Sequence, residues 1–223
     1  MRPSSLAKTR TDRVVLGCAA AFVVAVAAGI VLRRSGVDLV APFSAGERIV
    51  VDDVQEWRLL SSGLIVRGAL PFLQLAGLVV AALVVIHRQG PVRWVVAAVG
   101  GHVLSAVIAY WVLQVEVWKG HDGAYAAAGG NDYGISCLVA GTLGALCADA
   151  ALRWRRGAGA QEGALAAGLV LLAVATVPLA LSWYGVEHGL SFLVGALTIA
   201  LAGRRGGYDP APHPADEPAP SDG

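Results

Sequence analysis

Two polar residues stand out against the apolar sequence around them. Ser136 lies in Gly134-Ile135-Ser136-Cys137 and His188 in Glu187-His188-Gly189, each near the edge of a long apolar run. A hydroxyl and an imidazole are sufficient for acyl transfer. The imidazole takes the hydroxyl proton as the oxygen attacks an acyl carbon. Small residues accompany both. Ser136, Ala140 and Gly144 recur at i, i+4 and i+8, and His188, Ser191 and Gly195 share one helical face. Such ridges let helix backbones approach closely in a membrane. A second reading stands beside the chemical one: the serine belongs to a packing ridge and the histidine anchors a helix at an interface.

Other reactive side chains point elsewhere. Cys18, Cys137 and Cys147 all fall inside apolar runs, an odd number that is no disulfide framework. No CxxC or His/Cys cluster suggests a metal. Cys137 would project about 100° round a helix from Ser136, so it reads as packing rather than nucleophile. His102, in mid-run, is expected to hydrogen-bond a neighbouring helix or line a polar cavity. Asp149 is expected to pair with Arg153, one turn further on.

The elements that must position Ser136 and His188 follow from composition. Of 223 residues, 56% are hydrophobic and 15% charged, and the mean hydropathy is +0.63. A soluble domain carries about 25% charged residues. The composition excludes a disordered chain and a large soluble catalytic domain. A net charge of +1 points to no nucleic-acid partner. Apolar runs at 14–32, 68–86, 94–115, 133–152, 163–182 and 183–203 separate the charge clusters. Each is long enough to cross a hydrocarbon core of about 30 Å as a helix. The expected fold is all-α, a polytopic bundle of six transmembrane helices. Run 14–32 could instead be a cleaved leader, but it is longer than such cores usually are. Pro71 and Pro178 are expected to kink their helices at most.

Basic residues give the direction. Arg2, Lys8, Arg10, Arg13, Arg88, Arg93, Arg153, Arg155, Arg156, Arg204 and Arg205 fall on one alternating set of ends. Those ends should face the cytoplasm, with both termini inside and the plasma membrane as the site. Segment 1–13 is then a basic cytoplasmic N-terminus, and 204–223 a Pro-rich, disordered cytoplasmic tail. Trp57, Trp111, Trp118, Tyr133, Trp183 and Tyr184 gather near the outer boundary, as an aromatic belt does. The fourth and sixth runs cross in the same direction, so Ser136 and His188 fall at matching depth near the outer surface.

With these elements in place, the sequence resembles the rhomboid family of intramembrane serine proteases. That family carries G-x-S-G at the start of the fourth of six spans; here it is Gly134-Ile135-Ser136-Cys137. It carries a histidine in the sixth span with small residues three and seven positions on; here these are His188, Ser191 and Gly195. It carries a Trp-Arg pair in the first outer loop; here this is Trp57-Arg58, read as an anchor for that loop. The resemblance covers residues 14–203. It implies that Ser136 is the nucleophile and His188 its base, and that no metal or cofactor is needed. It also implies that the substrate is a transmembrane helix in the lipid bilayer, unwound beside the second and fifth spans.

Departures from the family pattern are specific. Its second span carries H-x-x-x-N, which helps to hold the oxyanion; here Pro71 and Leu75 stand at those places. Neither side chain donates a hydrogen bond. Gln74 and Asn131 are the candidate substitutes. Cys137 and Ser191 stand where the family has glycine, and both are expected to narrow the active centre. The departures keep a second function open: a rhomboid-like protein that binds transmembrane clients without cutting them. A small transporter or a purely structural membrane protein finds no positive sequence feature. No internal repeat or broken helix pair supports transport.

Overall fold

A computed structural model describes residues 9–66, 69–130, 132, 134–176 and 183–205. Among them every regular element is helical, and the one β-bridge joins Ala45 to Asp132. In chain order the helices are α1 (Arg10–Arg34), α2 (Val40–Phe43), α3 (Arg58–Ser61), α4 (Pro71–Gln89) and α5 (Pro91–Trp118), followed by α6 (Asp122–Ala128), α7 (Ser136–Arg155), α8 (Ala160–Thr176) and α9 (Trp183–Arg205). Short π and 3-10 turns cover Arg48–Asp52 and Ser62–Leu64. Five helices are long and apolar enough to cross a membrane: α1, α4, α5, α7 and α9. The described part of α8 is also apolar but shorter. The sequence run at 163–182 continues into residues outside the described set, as do Pro178, residues 1–8 and the tail after 205.

Local sequence accounts for the ends. Thr9 accepts from the Asp12 amide while Asp12 accepts from the Thr9 amide, a capping box that opens α1. Pro71 does not kink α4. It is the first residue of the helix, where its missing N–H costs nothing and its fixed φ suits the helix. Gly90, at φ +88°, closes α4 and Pro91 opens α5, so one left-handed glycine turns the chain between two long helices. At 28 residues, α5 spans about 42 Å, more than a hydrocarbon core needs.

The centre of the bundle is a three-helix contact of α5, α7 and α9, built on glycine. A Cβ on Gly144 would run into the Phe192 carbonyl, and one on Gly195 into the Gly141 carbonyl. One on Gly101 would lie 2.9 Å from Ser191 Oγ. The backbones therefore touch directly. Around this seam, Leu75, Leu78, Ala82 and Val85 of α4 pack with Ala97 and Ala98 of α5, Leu138 and Ala145 of α7, and Ile199 of α9. Helix α1 adds Val26 and Ile30 from the side. Helix α8 leans on α7 through Ala166 against Cys147 and Ala150.

Ionic contacts tie the bundle at the end away from Ser136. Arg88 donates to Asp149 and to Glu162, both at 3.1 Å, and Gln89 also donates to Asp149. Arg153 turns to Glu162 at 3.1 Å. The expected Asp149–Arg153 pair is therefore replaced by a link from α4 to α7. Asp149 is 2% exposed and faces the bundle, whereas Arg153 faces the start of α8. A one-turn spacing gives proximity along one helix and cannot show which partner a neighbouring helix supplies.

Candidate active site

The chain enters α7 through a backbone that favours glycine. Gly134 has φ +141°, a conformation that L side chains rarely adopt, and its N–H donates to the Ser62 carbonyl at 3.1 Å. Ile135 follows, buried at 1% exposure, and Ser136 is the first residue of the helix. The G-x-S spacing thus has a local cause. The glycine turns and ties the chain, the apolar residue plugs into the core, and the serine emerges at the helix start. The N–H groups of that first turn have no acceptor within the helix.

His188 stands one turn inside α9, facing Ser136. Its Nε2 lies 2.7 Å from Ser136 Oγ. For the hydroxyl to donate there, the ring proton must sit on Nδ1. One turn further along α9, Ser191 Oγ donates to the Cys137 carbonyl at 2.7 Å. This bond fixes the register of α9 against α7 beside the pair. Ser191 and Cys137 both face the bundle and neither lines the cavity at Ser136. The two replacements expected to narrow the active centre therefore lie in the helix seam rather than at the cavity wall. The Ser191 hydroxyl points to Gly101, Gly141 and the Cys137 carbonyl, in the seam between the helices. Gly195 lies deeper, in the helix seam.

The pair opens on a cavity of about 430 Å³. Its walls are apolar: Val139, Ala140 and Leu143 of α7, Leu172 and Ala173 of α8, and Phe192 of α9. Gln74 and Gly77 of α4 close the remaining side, which puts an amide into the same cavity as the hydroxyl and the imidazole. Asn131 lies outside the described residues. Trp57 and Arg58 do not line the cavity. Arg58 donates to the Ala41 and Ser44 carbonyls at 2.9 and 3.2 Å, with its guanidinium 5.4 Å from the Trp57 ring centre. Trp57 meets Phe43 edge-on. These contacts fold segment 40–61 on itself.

His102 is occupied elsewhere. Its Nε2–H donates to the Leu59 carbonyl at 2.8 Å, and Ser62 Oγ lies 3.3 Å away. With Nε2 already donating to a carbonyl, the ring cannot serve Ser62 as a base through that nitrogen. It tethers the segment before α4 to the middle of α5.

Sequence reasoning missed an acidic group that includes Glu187, the residue before His188. Glu47, Asp132 and Glu187 come together with Tyr110 around a second cavity of about 20 Å³. Tyr110 donates to Asp132 at 2.6 Å. The only signal in the sequence was an acid directly before His188 in an apolar run. Glu47 and Asp132 read there as ordinary loop charges. Among the described residues, no group of three or more His, Cys, Asp or Glu is placed to hold a metal ion. Comparisons with protein-family models, curated proteins and solved structures find no match to this chain.

Proposed function

We propose that the chain is a rhomboid-like intramembrane serine protease that cleaves transmembrane segments of other membrane proteins. The observation that carries the reading is the 2.7 Å contact between His188 Nε2 and Ser136 Oγ at the wall of an apolar cavity. In the proposed reaction His188 takes the Ser136 proton as Oγ attacks a peptide carbonyl. The oxyanion meets the N–H groups of the first turn of α7 and the amide of Gln74. His188 then protonates the leaving amine, and water activated by the same ring releases the acyl group. The cavity lies between α4 and α8, the helices formed by the second and fifth apolar runs. A substrate helix would approach there. Small side chains at the cut suit a site walled by Val139, Ala140 and Phe192. The proposal includes six crossings of the plasma membrane, with both termini in the cytoplasm. The distribution of basic residues supports that orientation.

A serine-directed fluorophosphonate tests the reading on the full chain. Wild type is expected to label, and Ser136→Ala and His188→Ala to lose labelling. Equal labelling of all three removes Ser136 as the nucleophile. Pro71 and Leu75, at the places where the family has its oxyanion side chains, favour a second reading. In that reading the protein captures transmembrane clients without cutting them. Client crosslinking that survives Ser136→Ala, with no fluorophosphonate labelling of the wild type, supports it.

A further inference from the structure

The cavity at Ser136 is graded along its length. Its three polar side chains, Gln74, Ser136 and His188, stand near the starts of α4, α7 and α9. These helices run in the same direction. Gln74 and Ser136 share the cavity near the starts of α4 and α7, and Gln89 meets Asp149 toward their ends. His188 meets Ser136, and further along the same two helices Gly203 lies against Leu152. The polar groups therefore gather at one end of the cavity. Beyond them the lining is apolar. Val139 and Ala140 follow Ser136 by one turn and Leu143 by two, and Phe192 follows His188 by one. The wall from Ser136 to Leu143 is about 10 Å long at about 1.5 Å per residue.

Glycine keeps this space open. Gly77 and Gly189 line the cavity, and a Cβ on either would meet nothing within 4 Å. The seam glycines Gly144 and Gly195 differ, because there a facing carbonyl excludes a side chain. Among the described residues no close contact calls for glycine at 77 or 189, and the space their side chains would take is cavity. An apolar cavity of about 150 Å³ already accepts a benzene ring. This one is about 430 Å³, so a small side chain at a peptide cut fills only part of it. A peptide that continued along the apolar wall would bury backbone N–H and C=O groups without partners. A hydrocarbon chain has no such groups.

We infer that the Ser136–His188 site also hydrolyses straight-chain acyl esters, with the ester carbonyl at Ser136 and the acyl chain lying along Val139, Leu143 and Phe192. The inference rests on the dyad reading and not on peptide cleavage. His188 Nε2 takes the Ser136 proton as Oγ bonds to the ester carbon. The bond from that carbon to the alkoxy oxygen breaks, and the alcohol leaves with the proton. Water then gives a proton to Nε2 as its oxygen bonds to the acyl carbon. The bond from Oγ to the acyl carbon breaks, Oγ recovers the proton, and the carboxylic acid departs.

The test uses the full chain in nanodiscs, with p-nitrophenyl acetate, butyrate and octanoate as substrates and the fluorophosphonate as the report on the dyad. Each buried methylene is worth up to about fourfold. For wild type, kcat/KM is expected to rise along the series, with octanoate at least about tenfold above acetate. Ser136→Ala is expected to stay at the uncatalysed rate. Gly77→Leu and Gly189→Leu each place a side chain in the open space. Both are expected to cut octanoate turnover by about tenfold and to bring the octanoate-to-acetate ratio toward one. They lie on different helices, so one serves if the other does not fold. Dioctanoyl phosphatidylcholine added to the nanodiscs separates two sources of the ester. Octanoate released from it identifies a bilayer lipid, and turnover of p-nitrophenyl octanoate alone identifies an ester taken from water; either upholds the inference. A wild-type ratio near one, or a ratio unchanged in a folded leucine variant, overturns the acyl slot, and fluorophosphonate labelling then still upholds the dyad. Wild-type rates equal to those of Ser136→Ala, with no labelling, overturn both.

Discussion

Ser136 and His188 meet because each is delivered by a neighbour with a different task. Gly134 turns the chain into α7, and Ser191 binds the Cys137 carbonyl across the gap. Gln74 shares their cavity without a partner role in the packing, which makes it the residue to vary. Gln74→Leu is expected to slow fluorophosphonate labelling by about 10–10²-fold, somewhat below the usual cost of an oxyanion donor because backbone N–H groups remain. Its thermal midpoint is expected to stay near that of wild type, since the position is exposed. His102→Leu should behave in the opposite way. It removes the donor to the buried Leu59 carbonyl and is expected to cost about 1–3 kcal/mol in a denaturation measurement. At this scale the dyad was legible, because a hydroxyl and an imidazole stand out against apolar sequence. The acidic group of Glu47, Asp132 and Glu187 was not. Asp132 reads as a loop charge, and nothing along the chain shows that Tyr110 and Glu187 converge on it.

At the scale of helices, the decisive contacts are between backbones. Gly144 and Gly195 sit where a single added carbon would strike a facing carbonyl. Gly144→Ala and Gly195→Ala are therefore expected to push α7 and α9 apart and cost about 1–3 kcal/mol, read as a lower thermal midpoint. Gly168→Ala on α8 is the control. It has open space around its Cα and is expected to be neutral or to stabilise by up to about 1 kcal/mol. The charge-free runs predicted the long helices to within a few residues at most ends. Capping moved several ends: Pro71, the Gly90-Pro91 turn and Gly134 each set a boundary that hydropathy alone leaves open. The ion network at the far end was not legible. Arg88, Asp149 and Glu162 come from three different helices, and only packing brings them together.

For the molecule as a whole, the seat of the bundle in a bilayer follows from which helices cross and in which direction. Among the described residues five helices are long and apolar enough to cross, and the proposed sixth crossing is α8 with the residues that follow it. A variant lacking native cysteines, with Ser4→Cys or Ser221→Cys, is expected to react with an impermeant maleimide only after cells are permeabilised. Ala126→Cys, on the exposed face of α6, is expected to react on intact cells. The reverse pattern inverts the orientation. The glycine seam also bears on how the protein fails when heated. Ser136 and His188 are carried by the helices whose main chains touch. Amide exchange in α7 and α9 should therefore require opening of the whole bundle, while α1 exchanges through smaller local openings. On the proposed function, each molecule that is still folded would then react with the fluorophosphonate at full speed. The lost fraction of activity would track the unfolded fraction one for one, with no sluggish intermediate population before the transition.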